Sequence, residues 1–467
     1  MKWLYDRLEY FCIIFLFGAL FFFILTHYSP SLATKTYAET LFDTSRVHRI
    51  DLILAASDFD QILENPTEKI KYHADITIDG ETIHDVSVAT RGNATLFSAA
   101  ALDDFSAYSY KINFEKWNEA TNYRGLDALY LNNFFSDPSY LKDFLAFELM
   151  RSAGVATPLV AYTEVYINDS LQGLYLAVEG YDKSFLARTG SESTAALLKP
   201  EPLAHDNFRL NALSSNSPDE ASLIVRDIYD EGYDTGGADL KYRDDNPASY
   251  PAIFENSLTK LTSRDQAQVI SALKSLETGD AREYWDFDAL ARYLAVHNFI
   301  VSDDSYIGLI PHNFVLRLSQ DRLSFLPWDY DIAYRVNWDI EAYPTFENLV
   351  NISLDSPPIG LPEESRPLWA VLKHDQAFQS QYFSIARDLL SREVLSGALS
   401  EKITATRGLI YNYVLEDPSR RSDMSEFESS VDYLDEFLSL RASFLIDDLN
   451  SSELLTSLDL RASPAEF

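Results

Sequence analysis

The chain opens on an unbroken apolar run. Residues 10–26 (YFCIIFLFGALFFFILT) carry no charge. Roughly 17 residues at about 1.5 Å each span about 25 Å, the lower limit for a bilayer core of about 30 Å. Lys2 and Arg7 precede the run, and no Lys or Arg follows it before Lys35. That asymmetry predicts a transmembrane helix with the N-terminus inside and the body extracytoplasmic. Ser31-Leu32-Ala33 offers a competing reading, a signal peptide cut after Ala33 that leaves the body secreted. The aromatics through the run and its distance from Ala33 favour the anchor. Residues 1–33 are thus anchor or signal, and 34–45 a linker.

Beyond about residue 46 the period of the pattern changes. Residues 74–78 and 82–89 alternate and flank Asp79-Gly80, a two-residue hairpin signal. Residues 107–114 place Tyr108, Tyr110, Ile112 and Phe114 on one face and Ser109, Lys111 and Asn113 on the other. A helix follows, with Asp137 as its cap, Pro138 in its first turn and Gly154 past its end. Residues 162–168 and 173–179 read as a further strand pair, and 251–298 as mostly helical. Two strands then meet around Ser319-Gln320-Asp321, and 368–450 returns to helical spacing. The fold class is α+β.

Composition narrows the function. Hydrophobic residues are 46% and aromatics 13% of 467, too rich for disorder. A formal net charge of −34 argues against a nucleic-acid partner, which demands a basic face. Cys12, the single cysteine, lies in the apolar run, so the body has no disulfide, Cys-based zinc site or thiol nucleophile. The chain has no H-E-x-x-H, G-x-S-x-G, Walker A or G-x-G-x-x-G pattern, which removes the familiar zinc-protease, serine-hydrolase and phosphate-loop readings.

Several polar residues stand where packing alone does not ask for them. Pairing of 312–318 with 322–326 sets Asn313 opposite about residue 327 and brings its side chain toward Asp329. A carboxylate and an amide oxygen together suit a hard cation such as Mg²⁺. Lys111 lies on the polar face of a strand whose other face is aromatic. On a helical wheel Glu148 falls among Leu141, Phe144, Leu145 and Leu149, where a carboxylate requires a cation; Lys111 is the expected partner. Arg91-Gly92-Asn93 follows a strand, and its glycine lets backbone approach a phosphate. Each has a plainer reading. Asp304 caps a turn, Asp329 ends a strand, Lys111 is solvated, and Arg91 makes a turn salt bridge.

Seven blocks occur in order: RGNATL (91–96), YSYKINF (108–114), LNNFFSDPSYLKDFLAFELM (131–150), VYINDSLQGLYLAVEGYDKSFL (165–186), GADLKYRDDNPASYPAIFEN (237–256), DSYIGLIPHNFVL (304–316) and LPWDYDIAY (326–334). Together they resemble the spore-coat protein H (CotH) kinase family along about residues 46–445. The resemblance implies a diverged protein-kinase-like two-lobed fold, with a β-rich N-lobe and a helical C-lobe. The kinase domain would span 46–375, a helical extension 376–450 and a tail 451–467. It implies transfer of the γ-phosphate of ATP, with Mg²⁺ or Mn²⁺, to Ser/Thr hydroxyls of extracytoplasmic or surface proteins. Asp304 matches the catalytic base, Asn313 and Asp329 the metal ligands, and Lys111 the family's strand lysine; Arg91 and Glu148 join Lys111 at the nucleotide.

The chain also departs from conventional kinases. Asp304 and Asn313 are nine apart, wider than in H-R-D-x-x-x-x-N, and D-F-G is missing. Asp303 and Asp331 compete with the aspartates chosen, and Arg335 stands where the family block often has glycine. Glu179 lies in a matching block and Lys199 shortly after it, both without an assigned role. Two other functions remain open: an inactive kinase-like scaffold for surface or coat assembly, and AMP transfer from ATP.

Overall fold

Alternation in the first half of the chain builds strands, and their edges meet. The structure is a computed structural model that describes residues 36–459, apart from 103–104, 193, 203–233, 303, 309, 335–348 and 356–364. Seven strands come first: β1 (His48–Ile53), β2 (Tyr72–Ile78), β3 (Glu81–Thr90), β4 (Tyr110–Asn113), β5 (Ala128–Asn132), β6 (Val160–Ile167) and β7 (Ser170–Glu179). They form a closed barrel in the order β1-β2-β3-β4-β5-β7-β6. Neighbours pair antiparallel except at the closure, where β6 runs parallel to β1 with Val165 opposite Ile50.

Inward positions fill the barrel: Ile50, Leu52, Ile76, Val88, Ile112 and Leu129 are all buried in one cluster. The expected hairpin is present, and Asp79 (φ 49°) and Gly80 (φ 90°) supply the two positive φ values of its turn. Of the predicted strand at 107–114, only Tyr110–Asn113 is laddered. Lys111 points outward there, directly across from Tyr130 of β5.

A second sheet follows. β8 (Ala196–Leu198), β9 (Phe314–Ser319) and β10 (Arg322–Pro327) are ordered β10-β9-β8. Gln320 and Asp321 both have positive φ (52° and 59°), so the β9–β10 turn is the predicted two-residue kind.

Six helices carry most of the remaining core: α1 (Lys142–Ser152), α2 (Ser263–Thr278), α3 (Phe287–Phe299), α4 (Gln376–Leu389), α5 (Ala398–Glu416) and α6 (Met424–Asp459). α1 begins later than expected because Asp137 is spent on a turn. Its carboxylate accepts from the amide of Ser139 at 3.0 Å and from that of Lys142 at 2.9 Å. Gly154 (φ 78°) ends the helix as predicted.

α3 is the central element. Tyr293 meets Phe325 of β10 edge-on at 5.4 Å, and Asn298 donates to the Tyr382 hydroxyl of α4 at 2.8 Å. Arg441 of α6 is fully buried. It donates to the carbonyls of Asn298 (3.1 Å) and Phe299 (3.2 Å) at the end of α3, and to those of Val350 (2.8 Å) and Ile352 (2.5 Å). A helix C-terminus presents unpaired carbonyls with partial negative charge, so a guanidinium there complements both.

This architecture corrects the expected two-lobed kinase plan. The strands before residue 180 close into a barrel rather than an open β-rich lobe, and the helical half carries its own three-stranded sheet. Period-two alternation tells which face of a strand is apolar; it does not tell which edges join. The transmembrane expectation is corrected as well. Among the described residues no helix is long and apolar enough to cross a membrane, and residues 10–26 lie outside the described residues. The single-pass membrane reading therefore has no helix to rest on among the described residues.

Candidate active site

The β9–β10 hairpin opens toward the outer wall of the barrel, and its base carries two aspartate-bearing turns. Phe314 pairs with Pro327 at the end of the ladder, so Asn313 and Trp328 stand just past it and Asp329 comes next. The predicted register was one residue off. Asn313 (φ 53°) and Asp329 (φ 59°) are both left-handed, a conformation that Asn and Asp tolerate better than most side chains.

Asp304 lies on the loop after α3, and buried Arg366 fastens that loop by donating to the carbonyls of Tyr306 and Gly308. Asp304 is itself buried. One carboxylate oxygen faces His312 Nε2 at 2.9 Å, and the other accepts from Asn313 Nδ2 at 2.9 Å. His312 Nδ1 lies 2.8 Å from the Ile310 carbonyl, which only accepts, so that nitrogen carries a proton. Asn313 Oδ1 is buried and has no hydrogen-bond partner among the described residues.

Asp143, in the first turn of α1, reaches the same place. It is buried and accepts from the Tyr330 amide at 2.5 Å. Burial, reinforced by the charge of Asp329, pushes its carboxyl up to about 7. Asp331 is pushed well above the carboxylate range by burial, with Asp329, Asp143 and Asp304 adding and Lys142 opposing. Asp143 and Asp331 thus carry their charge at a cost among like charges, a state relieved by protons or by a cation.

Among the described residues no three of His, Cys, Asp and Glu converge as a ready-made metal cage. The oxygens present are few and hard: the partnerless Asn313 Oδ1 and the Asp329 carboxylate beyond it. Such a set fits Mg²⁺, which keeps water and phosphate oxygens in its shell.

Opposite these acids stand cations held by aromatic faces. The Arg91 guanidinium lies 4.6 Å from the Tyr130 ring and 5.2 Å from that of Trp328. Lys199 Nζ is 4.7 Å from the Trp328 ring, and Lys111 Nζ is 5.7 Å from that of Tyr130. Lys199 also pairs with Glu201. Burial, then the charge of Arg91, lowers the Lys111 ammonium below its ordinary range. A cation resting on a π face keeps its charge for an incoming anion.

The structure brings Asp304, Asn313 and Asp329 to one end of the hairpin and Arg91 and Lys111 to the facing wall. Glu148 is elsewhere. It pairs with Arg151 and with Lys402 of α5, so the expected Lys111–Glu148 pair is not formed; the acid whose charge reaches Lys111 is Asp182. Glu179 is fully buried and serves the fold, accepting from Arg188 at 2.8 Å and from the Tyr37 hydroxyl at 2.6 Å. Asp303 and Arg335 lie outside the described residues.

Sequence reasoning missed Asp143, Asn132, His312 and the place of Lys199. His312 had a signal, since it directly precedes Asn313. Asp143 had none, because a first-turn aspartate reads as a partner for the helix dipole.

A family model described as CotH kinase protein matches residues 88–445. The inner spore coat protein H of Bacillus subtilis (strain 168) is 24% identical over 368 residues, covering 78% of this chain and 88% of that protein. Every residue of the site, from Arg91 to Asp331, falls inside the matched span. The hairpin, the acids and the strands that carry Arg91 and Lys111 lie within that match, which spans most of the chain, and the chain belongs to the CotH kinase protein family.

Proposed function

We propose that the protein transfers the γ-phosphate of Mg-ATP to a Ser or Thr hydroxyl of an acceptor protein. The observation that carries this reading is the meeting of charges at Trp328, with Arg91 and Lys199 against its ring, Lys111 beside the neighbouring Tyr130, and Asp329 next in the chain. Phosphoryl transfer needs cations at the phosphates, oxygens for a metal, and a group that orients the hydroxyl.

Arg91, Lys111 and Lys199 take the phosphate oxygens. Asn313 Oδ1 and Asp329 would hold magnesium, which would supply positive charge to offset that of the phosphates. Asp304 is gripped on each oxygen by a different neighbour, His312 and Asn313, so its remaining lone pairs have a fixed direction. It aligns the acceptor hydroxyl. The new bond runs from that oxygen to the γ-phosphorus as the bond to the β–γ bridging oxygen breaks. ADP leaves, and the hydroxyl proton passes to Asp304.

The relative's name, inner spore coat protein H, makes a coat-type structural protein a reasonable first acceptor. The test incubates the full chain with Mg²⁺, a Ser-rich acceptor protein, and γ-labelled or α-labelled ATP in separate tubes. Transfer of γ-label alone is expected, with Asp304→Asn and Asp329→Asn each reducing it by about 10²–10⁴-fold. Transfer of α-label would replace the proposal with AMP transfer. No label from either nucleotide, with the acceptor still bound, would leave a scaffold.

A further inference from the structure

Arg91 and Asp329 sit on opposite sides of the site, yet a single chain of hydrogen bonds joins them. Arg91 donates to Asn132 Oδ1 at the end of β5. Asn132 Nδ2 points to Asp143 Oδ2 at 3.5 Å. Asp143 Oδ1 accepts from the backbone amide of Tyr330 at 2.5 Å, and that amide is the peptide that follows Asp329. The direction is fixed at the Arg91 end, because a guanidinium only donates and must meet the amide oxygen. Asn132 therefore has one orientation, oxygen to Arg91 and nitrogen to Asp143.

A plainer account makes Asp143 a partner for the α1 dipole. A first-turn carboxylate serves a helix dipole equally well from an exposed position. Asp143 instead is buried, with Asp329 raising the cost of its charge, and its near oxygen is spent on the left-handed Asp329 turn.

We propose that Asn132 and Asp143 are positioning residues that hold the phosphate-side cation Arg91 and the metal-side Asp329 turn in one fixed relation. The role rests on the phosphoryl-transfer reading for its purpose, but the coupling itself is a property of the protein without nucleotide. Neither residue touches the reacting atoms.

The test is a swap. In Asp143→Asn alone, the new amide meets that of Asn132 donor to donor, and one of the two must turn away from its partner. In Asn132→Asp alone, two carboxylates face each other. In the double variant Asn132→Asp/Asp143→Asn every contact is again donor to acceptor: Arg91 to the new carboxylate, the new amide to that carboxylate, and the Tyr330 amide to the new carbonyl.

Two readouts are taken on the full chain. Hydrogen exchange at the Tyr330 amide, measured without nucleotide, should accelerate by about tenfold or more in Asp143→Asn and slow again in the swap. With ATP, Asp143→Asn should lower kcat by about tenfold while moving the nucleotide KM by less than about threefold, and the swap should turn over faster than either single variant. Unchanged exchange in Asp143→Asn overturns the proposal. So does a swap no better than its worse parent while it melts at the wild-type temperature. If the wild-type protein transfers no phosphate, the function above fails, and the exchange measurement still decides the coupling.

Discussion

His297 offers a sharp test of the packing around α3. It is buried, stacks on Tyr293 at 5.3 Å, and places Nε2 3.0 Å from the Ser302 carbonyl and Nδ1 3.3 Å from the Tyr330 hydroxyl. A carbonyl accepts only, so Nε2 carries the proton and Nδ1 faces the hydroxyl as an acceptor. Burial pushes the imidazole from 6.5 down to about 4. A depressed histidine binds fewer protons folded than unfolded. Its contribution is present above pH 6.5 and is lost as pH falls toward 4. A difference of about 2.5 at about 1.4 kcal/mol each comes to on the order of 3 kcal/mol.

The perturbation is His297→Gln, which stays neutral. Asp143, pushed up to about 7, gives the opposite slope over part of the range, but it does so in both proteins, so the difference between them isolates His297. Urea unfolding is followed from pH 7 to pH 4 by the fluorescence of Trp285 and Trp369, both fully buried. Wild type should lose on the order of 3 kcal/mol more than the variant across that range. Parallel curves would refute the reasoning.

Three further outcomes follow from particular contacts. Arg441→Met keeps length and removes every donor from four carbonyls; urea unfolding should show a loss of about 3 kcal/mol or more. Gly173 has φ 142°, and a Cβ there would run into the Asp417 carboxylate and Ser419. Gly173→Ala should therefore cost about 1–3 kcal/mol, read as a lower midpoint in a calorimetric scan. Glu148→Gln should leave γ-phosphate transfer within about twofold, since its partners are Arg151 and Lys402, whereas Lys111→Met should lower kcat/KM for ATP by about 10²-fold. Equal losses in the two would restore the Lys111–Glu148 pair.

What the sequence revealed was local. Asp79-Gly80 and Gln320-Asp321 marked their hairpins, and the second of these brought Asn313 next to the Asp329 turn, because two-residue turns fix register over a short distance. Gly154 marked the end of α1. The unread parts depend on distant partners. Glu148 finds Lys402 across 254 residues, and a helical wheel shows that a cation is needed without showing whose. Asp143 meets the Tyr330 amide across 187 residues. The barrel closure is of the same kind: β1 carries no mark that its second neighbour is a parallel strand beginning at Val160.

That closure also sets a schedule. One edge of β1 is met early by β2, but the other waits for β6, roughly 110 residues later. At about 5–20 residues per second, the ribosome leaves that edge open for on the order of 5–20 s. An open edge is a template for wrong pairing, and β1 guards its outward face with Arg49 and Asp51, ion-paired at 2.6 Å. The wall that presents Lys111 is sealed only after the residues bearing Lys111 have been made. A nascent chain halted before Val160 carries Arg91 and Lys111 on a sheet with an unpaired flank, a species for chaperones to hold and for proteases to find.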